Sequence, residues 1–121
     1  MFCTTGNGII TICRGDSQNF PLFINCGSKM RPARYNFGKN QDTEVYIGVM
    51  EPNQRFEEAV IKKRYFKDNW TFTKDGDLVI KFEPNDTLFL SPGKYYYQVK
   101  VVLPDGSVDS LMPKRQFIIL E

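Results

Sequence analysis

Along Tyr95-Tyr96-Tyr97-Gln98-Val99-Lys100-Val101-Val102-Leu103 every odd position is apolar or aromatic, whereas Gln98 and Lys100 fall on the opposite face. That two-residue period predicts a strand with one face in a core and the other in water. Leu78-Val79-Ile80-Lys81-Phe82-Glu83 repeats it with Leu78, Ile80 and Phe82 inward, and Glu44-Val45-Tyr46-Ile47-Gly48-Val49 with Val45, Ile47 and Val49 inward. Further strands are expected over Ile9 to Cys13, Phe20 to Asn25, Glu58 to Phe66 and Gln116 to Leu120.

Between these runs lie turn signals. Lys74-Asp75-Gly76-Asp77 and Pro104-Asp105-Gly106 read as hairpin tips, with Gly76 free to take positive φ and Pro104 presetting the first turn dihedral. The only helical signal is Asn85-Asp86-Thr87-Leu88-Phe89-Leu90, which suits one capped turn crossing between sheets. About seven short strands with no longer helix predict an all-β fold, an Ig-like antiparallel β-sandwich of Greek-key type occupying residues 1–121 as one domain. In Leu90-Ser91-Pro92-Gly93-Lys94-Tyr95, Pro92 and Gly93 bend the chain ahead of Tyr95. This is the pattern of a tyrosine corner, in which the ring enters the core and its hydroxyl bonds to backbone just upstream.

Composition narrows the chemistry. The 121 residues are 41% hydrophobic and 25% charged, enough apolar material for a core and mixed enough in sign to stay out of the disordered class. There is no histidine, which removes imidazole bases, imidazole metal ligands and histidine-based triads. Neither catalytic residues, a cofactor nor a metal site is expected. Cys3, Cys13 and Cys26 are odd in number and lack paired zinc-site spacing, so they are expected as free or buried thiols in a reducing compartment. With no secretory leader and no apolar run long enough to span a bilayer, a cytoplasmic setting without a membrane partner is expected.

Several short motifs are tempting. Arg14-Gly15-Asp16 spells an adhesion tripeptide, but reads as the turn that ends a strand. Gly15-Asp16-Ser17 matches the nucleophile block of a class of esterases whose serine needs a histidine that this chain lacks. Asp75-Gly76-Asp77 has too few oxygen ligands for a calcium loop. Glu57 and Glu58, if within a strand, point to opposite faces and cannot cooperate as a carboxylate pair. Lys62-Lys63-Arg64 mixes cations with the nearby aromatics Tyr65, Phe66, Trp70 and Phe72, yet in a strand the cations alternate faces, so an edge that resists wrong pairing is the better reading and nucleic acid is not an expected partner.

Charge is nonetheless uneven. Through Gln41 the chain holds five basic residues and one acid, and the remainder holds eleven and thirteen. Much of the excess lies in a connection expected from about Gly27 to Asp42, whose Lys29, Arg31, Arg34 and Lys39 are candidates for contacting an acidic partner. Tyr46 and Tyr96, on nominal outer faces, complete the candidate interaction surface, since tyrosine and arginine are enriched at interfaces.

The order of these features resembles a family. Arg14-Gly15-Asp16-Ser17 precedes the apolar run from Phe20 to Ile24; Phe82-Glu83-Pro84-Asn85-Asp86-Thr87 and Leu90-Ser91-Pro92-Gly93-Lys94-Tyr95-Tyr96-Tyr97 follow, then Asp105-Gly106 and Phe117-Ile118-Ile119. This is similar to the N-terminal domain of baseplate upper proteins and related Ig-like tail proteins of phages infecting Firmicutes. The resemblance implies a virion structural protein of tail, baseplate or head, assembled in the host bacterial cytoplasm, whose partners are other virion proteins and further copies of itself. Baseplate upper proteins usually continue into a receptor-binding region, whereas this sequence ends at Glu121, so function by assembly alone is expected. The alternative from another class is a carbohydrate- or cell-surface-binding sandwich module, stacking sugar rings on Trp70, Tyr65 and neighbouring aromatics.

Overall fold

The computed structural model describes residues 2–5, 7–28, 31–66, 71–111 and 114–121. Eleven strands are found among them: β1 (Phe2–Thr5), β2 (Ile10–Cys13), β3 (Gln18–Leu22), β4 (Ile24–Ser28), β5 (Arg31–Arg34), β6 (Glu44–Met50), β7 (Ile61–Tyr65), β8 (Leu78–Phe82), β9 (Gly93–Val102), β10 (Val108–Ser110) and β11 (Arg115–Leu120). One α-helical turn, α1 (Pro84–Leu88), joins β8 to β9.

The strands form two layers. One holds the large sheet, ordered β2-β11-β9-β6-β7, with β10 also paired to β9. The other holds β1-β4-β5 and β3-β8, with β4 continuing β3 after a one-residue break at Phe23. The side chain of Asn7 bridges that break: its amide donates to Pro21 O at 2.9 Å and its Oδ1 accepts from Phe23 N at 2.7 Å. Those contacts satisfy backbone groups that no strand pairs there.

The fold is the expected Ig-like β-sandwich, with more and shorter strands than the hydrophobic pattern shows. One pairing departs from the antiparallel rule, since β2 runs parallel to β11 with Ile10 opposite Phe117. The hairpin returning from β9 changes register: Ser110 faces Lys100, yet Arg115 faces Tyr97, so the returning chain carries two extra residues. Gly76 and Gly106 take positive φ at the two predicted tips.

Inward positions fill the space between the layers. Tyr95, Tyr97, Val99 and Val101 of β9, Val45, Ile47 and Val49 of β6, Leu78, Ile80 and Phe82 of β8, and Phe117 and Ile119 of β11 are all buried. Phe82 meets Phe117 across the layers with ring centroids 5.2 Å apart, and stacks on Phe20 at 5.6 Å. Tyr95 Oη donates to Ser91 O at 2.7 Å, the bond that defines a tyrosine corner. Tyr97 Oη donates to Gly8 O at 2.6 Å, and burial pushes its hydroxyl up to about 12.

Three expectations are corrected here. The connection expected from Gly27 to Asp42 contains β5, paired to β4, and a 3₁₀ turn over Phe37–Lys39 whose Phe37 is fully buried. Buried Tyr35 adds a 2.6 Å hydroxyl contact to Thr43, and Phe37 N donates to Gly76 O at 2.8 Å. Glu57 and Glu58 lie in a second 3₁₀ turn, Phe56–Glu58, rather than in a strand; Glu58 Oε1 accepts from Arg55 N at 2.9 Å and so caps the turn.

Cys3 and Cys26 are not thiols. They face each other in the β1–β4 ladder, with Cα atoms 4.1 Å apart, and are joined as a disulfide. Cysteine spacing carries no trace of this, because the pairing is made by a ladder between segments 23 residues apart. Cys13 remains free, as expected, and is exposed.

A bridge closing that loop should contribute about 3 kcal/mol by constraining the unfolded chain. Replacing both partners, Cys3→Ala with Cys26→Ala, is therefore expected to lower the unfolding free energy in urea by about that amount. An unchanged urea midpoint would show that the bridge contributes nothing.

Candidate protein-interaction surface

The outer face of the large sheet is partly roofed by the chain between β6 and β7. Phe56 lies against Gly48, where an added Cβ would approach the ring to 2.9 Å, so the absence of a side chain at 48 admits the aromatic. Lys100 Nζ sits 4.4 Å from the centre of the same ring. Beneath this roof Gln98 and Met50 are buried although their positions face outward.

Beside the roof is an open cleft of about 540 Å³, lined by Met50, Glu51, Pro52, Asn53, Gln54, Tyr96 and Lys114. Its rim is a tight turn in which Asn53 takes φ +72°, Gln54 N donates to Glu51 O at 3.1 Å, and Glu51 N donates to Gln54 Oε1 at 2.9 Å. Tyr96 stands opposite Met50 in one ladder and Gln116 in the next. An adjoining cleft of about 240 Å³ shares Glu51 and Pro52 and adds Pro92, Gly93, Lys94 and Tyr95. Burial raises the Tyr95 hydroxyl above its usual range, and the charge of Glu51 adds to the effect. The cleft is lined by polar and apolar groups alike, with one tyrosine and charges of both signs.

The residues expected to form the interaction surface do not converge on this cleft. Only Tyr96 lines it. Tyr46, also on the outer face, spends its hydroxyl on Glu44 Oε2 at 3.1 Å, and Glu44 in turn pairs with Arg64. Arg34 is a structural cation: its Nε donates to Asp77 Oδ1 at 2.9 Å, a second guanidinium nitrogen bonds Asp77 Oδ2, and the guanidinium lies 4.3 Å from the Phe23 ring. Asp77 is buried, so the pair clamps β5 to the 74–77 turn. This engagement also takes Asp77 out of any calcium-loop reading. Lys39 is exposed at the end of its turn, Arg31 opens β5, and Lys29 lies outside the described residues.

The cations of β7 are also engaged. Lys63 Nζ bonds Asp86 Oδ2 at 2.6 Å, Arg64 pairs with Glu44, and Lys62 Nζ donates to Glu57 O at 2.7 Å. Asp86 Oδ2 additionally accepts from Glu83 N at 2.7 Å, so one carboxylate both caps α1 and holds the edge strand. Tyr65, one of the aromatics proposed to stack on sugars, is buried, and its hydroxyl accepts from Lys81 N at 3.1 Å. That removes it from an accessible stacking face, because its inward position on β7 is a core position. Trp70 lies outside the described residues. No group of three or more metal-ligating side chains is found among the described residues.

Sequence reasoning missed most of the cleft. Pro52-Asn53 is a turn dipeptide directly after a strand and marks its rim, but nothing in the local pattern places Lys114 beside it.

These features define an Ig-like β-sandwich whose usable chemistry is an open polar-apolar surface. No protein-family model and no curated protein sequence matches the chain. Among solved structures, the chain is similar to the fibronectin(III)-like modules of Clostridium thermocellum CbhA, at 12% identity over 98% of this chain and 96% of that one, with a TM-score of 0.47. It is also similar to a chain from the work on the structural basis of T cell specificity and activation by the bacterial superantigen toxic shock syndrome toxin-1, at 10% identity over 98% of both chains and a TM-score of 0.52. The second likeness supports the sandwich fold, and identities this low speak to nothing beyond fold.

The contrast between engaged and free cations is measurable. Arg34→Met strands the buried Asp77 carboxylate and is expected to lower the thermal midpoint clearly. Lys39→Met is expected to change stability by about 0.5 kcal/mol or less, as an exposed substitution does. Equal responses of the two variants would contradict the assignment of Arg34 to the fold.

Proposed function

We propose that the protein is a non-enzymatic structural component of a bacteriophage or prophage virion, acting through protein-protein contacts made by the surface of its sandwich. The observation that carries this reading is the open cleft around Tyr96, which puts an aromatic ring beside charges of both signs on the outer face of the large sheet. Such a surface suits a protein segment better than a small molecule, which is generally held in a more enclosed and more apolar pocket. The order of motifs shared with Ig-like phage tail proteins supports the virion setting. Reading the partners as neighbouring virion proteins and further copies of the chain follows from that likeness.

The Cys3–Cys26 disulfide is compatible with this setting, since bridges persist on particle surfaces outside the reducing cytoplasm in which a virion is assembled. A chain without histidine also lacks the commonest general base, in keeping with a role in assembly.

The test is mass spectrometry of particles released from the strain that encodes the chain, purified by density gradient. The chain is expected in the particle fraction in a fixed ratio to the major structural proteins, and Tyr96→Asp is expected to lower its incorporation about tenfold or more, as loss of an interface anchor would. Its absence from intact particles would contradict the reading.

A further inference from the structure

One end of the sandwich carries a patch that the fold does not use. Leu88 and Phe89, at the end of α1, are 44% and 85% exposed, and Leu120, at the end of β11, is 46% exposed. Leu88 and Leu120 lie on either side of the Arg14–Gly15 turn, and Phe89 follows Leu88 in the chain. Arg14 N donates to Leu120 O at 2.8 Å, Gly15 N donates to Thr87 Oγ1 at 2.9 Å, and a Cβ on Gly15 would sit 3.4 Å from Leu88 Cδ1. Cys13, directly opposite Leu120 in the parallel ladder, exposes its thiol at the same end. The fold therefore brings Leu88, Leu120 and Cys13 around one tight turn, with the exposed Phe89 next to Leu88 at the end of α1.

The turn itself supplies charge. Arg14 and Asp16, two residues apart, are both exposed, and neither has an ion-pair partner among the described residues. This differs from Arg34, Lys63 and Arg64, whose charges are satisfied within the chain. An apolar centre with one free cation and one free anion beside it is self-complementary. In a two-fold contact the same patch meets its own copy, so Arg14 of each copy can face Asp16 of the other while the apolar side chains close over the axis. A partner of one charge sign would leave one of the two ions opposed or unpaired.

We infer that the end of the sandwich formed by Cys13–Asp16, Leu88–Phe89 and Leu120 is a two-fold homodimer contact, with a second copy of this chain as its occupant. The inference rests on the assembly reading above and names the surface through which the chain meets itself. It also gives Arg14-Gly15-Asp16 a use as a paired ionic rim, where the motif is otherwise a strand-ending turn.

The test is sedimentation velocity of the full chain over a concentration series, with Cys13 crosslinked by a short bis-maleimide. The chain is expected to dimerise and to crosslink through Cys13, and Phe89→Glu is expected to weaken dimerisation about a hundredfold, because the anchor is lost from both copies. Arg14→Asp alone is expected to weaken the dimer, and Arg14→Asp combined with Asp16→Arg to restore it. Phe89 is largely exposed, and matching thermal midpoints for the variant and the parent would establish that folding is unaffected. A chain that stays monomeric throughout the series, or a dimer indifferent to Phe89→Glu, overturns the inference. A dimer that survives Phe89→Glu but is lost with Tyr96→Asp overturns it while leaving the assembly reading intact.

Discussion

Strand β9 is the member on which the rest of the sandwich depends. It pairs with β6, β10 and β11, and so holds the large sheet together across its middle. Four of its side chains, Tyr95, Tyr97, Val99 and Val101, enter the core. Its two buried tyrosines also do work that valine could not. Tyr95 ties the start of the strand to the bend at Ser91, and Tyr97 reaches the carbonyl of Gly8 in the link where the chain passes from the β1 layer to the β2 layer. A buried hydroxyl needs a partner, and both find one on backbone that would otherwise be unpaired. The register of β9 thus positions the N-terminal crossover, the corner and, on the opposite face, Tyr96.

A second constraint is the use of charge. The chain has sixteen basic and fourteen acidic residues, and several of the basic residues that stand out in the sequence are paired internally. Arg34 closes on buried Asp77, Lys63 on Asp86, and Arg64 on Glu44. All three pairs link segments distant in sequence and so act on the fold. What remains available for recognition is less cationic and more aromatic and apolar than composition implies, namely the Tyr96 cleft and the end carrying Phe89.

The strands that alternate cleanly were legible in the sequence: β6, β8 and β9 fall where a two-residue period places them, and the corner before Tyr95 was readable from Pro92 and Gly93. β1 and β5 were not. They consist of four residues each and have little periodicity, so their pairing with β4 is a tertiary fact. The disulfide was hidden for the same reason, since the adjacency of Cys3 and Cys26 exists only once β1 lies on β4. At the surface, Tyr96 is readable as outward-facing, whereas Tyr65 is turned inward by its position on β7. The apolar end could not be read at all, because Leu88, Phe89 and Leu120 come from elements that meet only around Gly15.

If recognition resides on the outer face and apolar end of the sandwich while the basic segment around Arg34 serves the fold, assembly should cover the first two and leave the third unchanged. Hydroxyl-radical footprinting of the isolated chain, diluted until it is monomeric, and of the chain within its assembled particle separates these outcomes. Strong protection of Tyr96, Phe89 and Cys13 is expected on assembly, with little change at Arg34 and Lys39. Protection concentrated at Arg34 and Lys39, with Tyr96 and Phe89 as reactive as in the isolated chain, would contradict it.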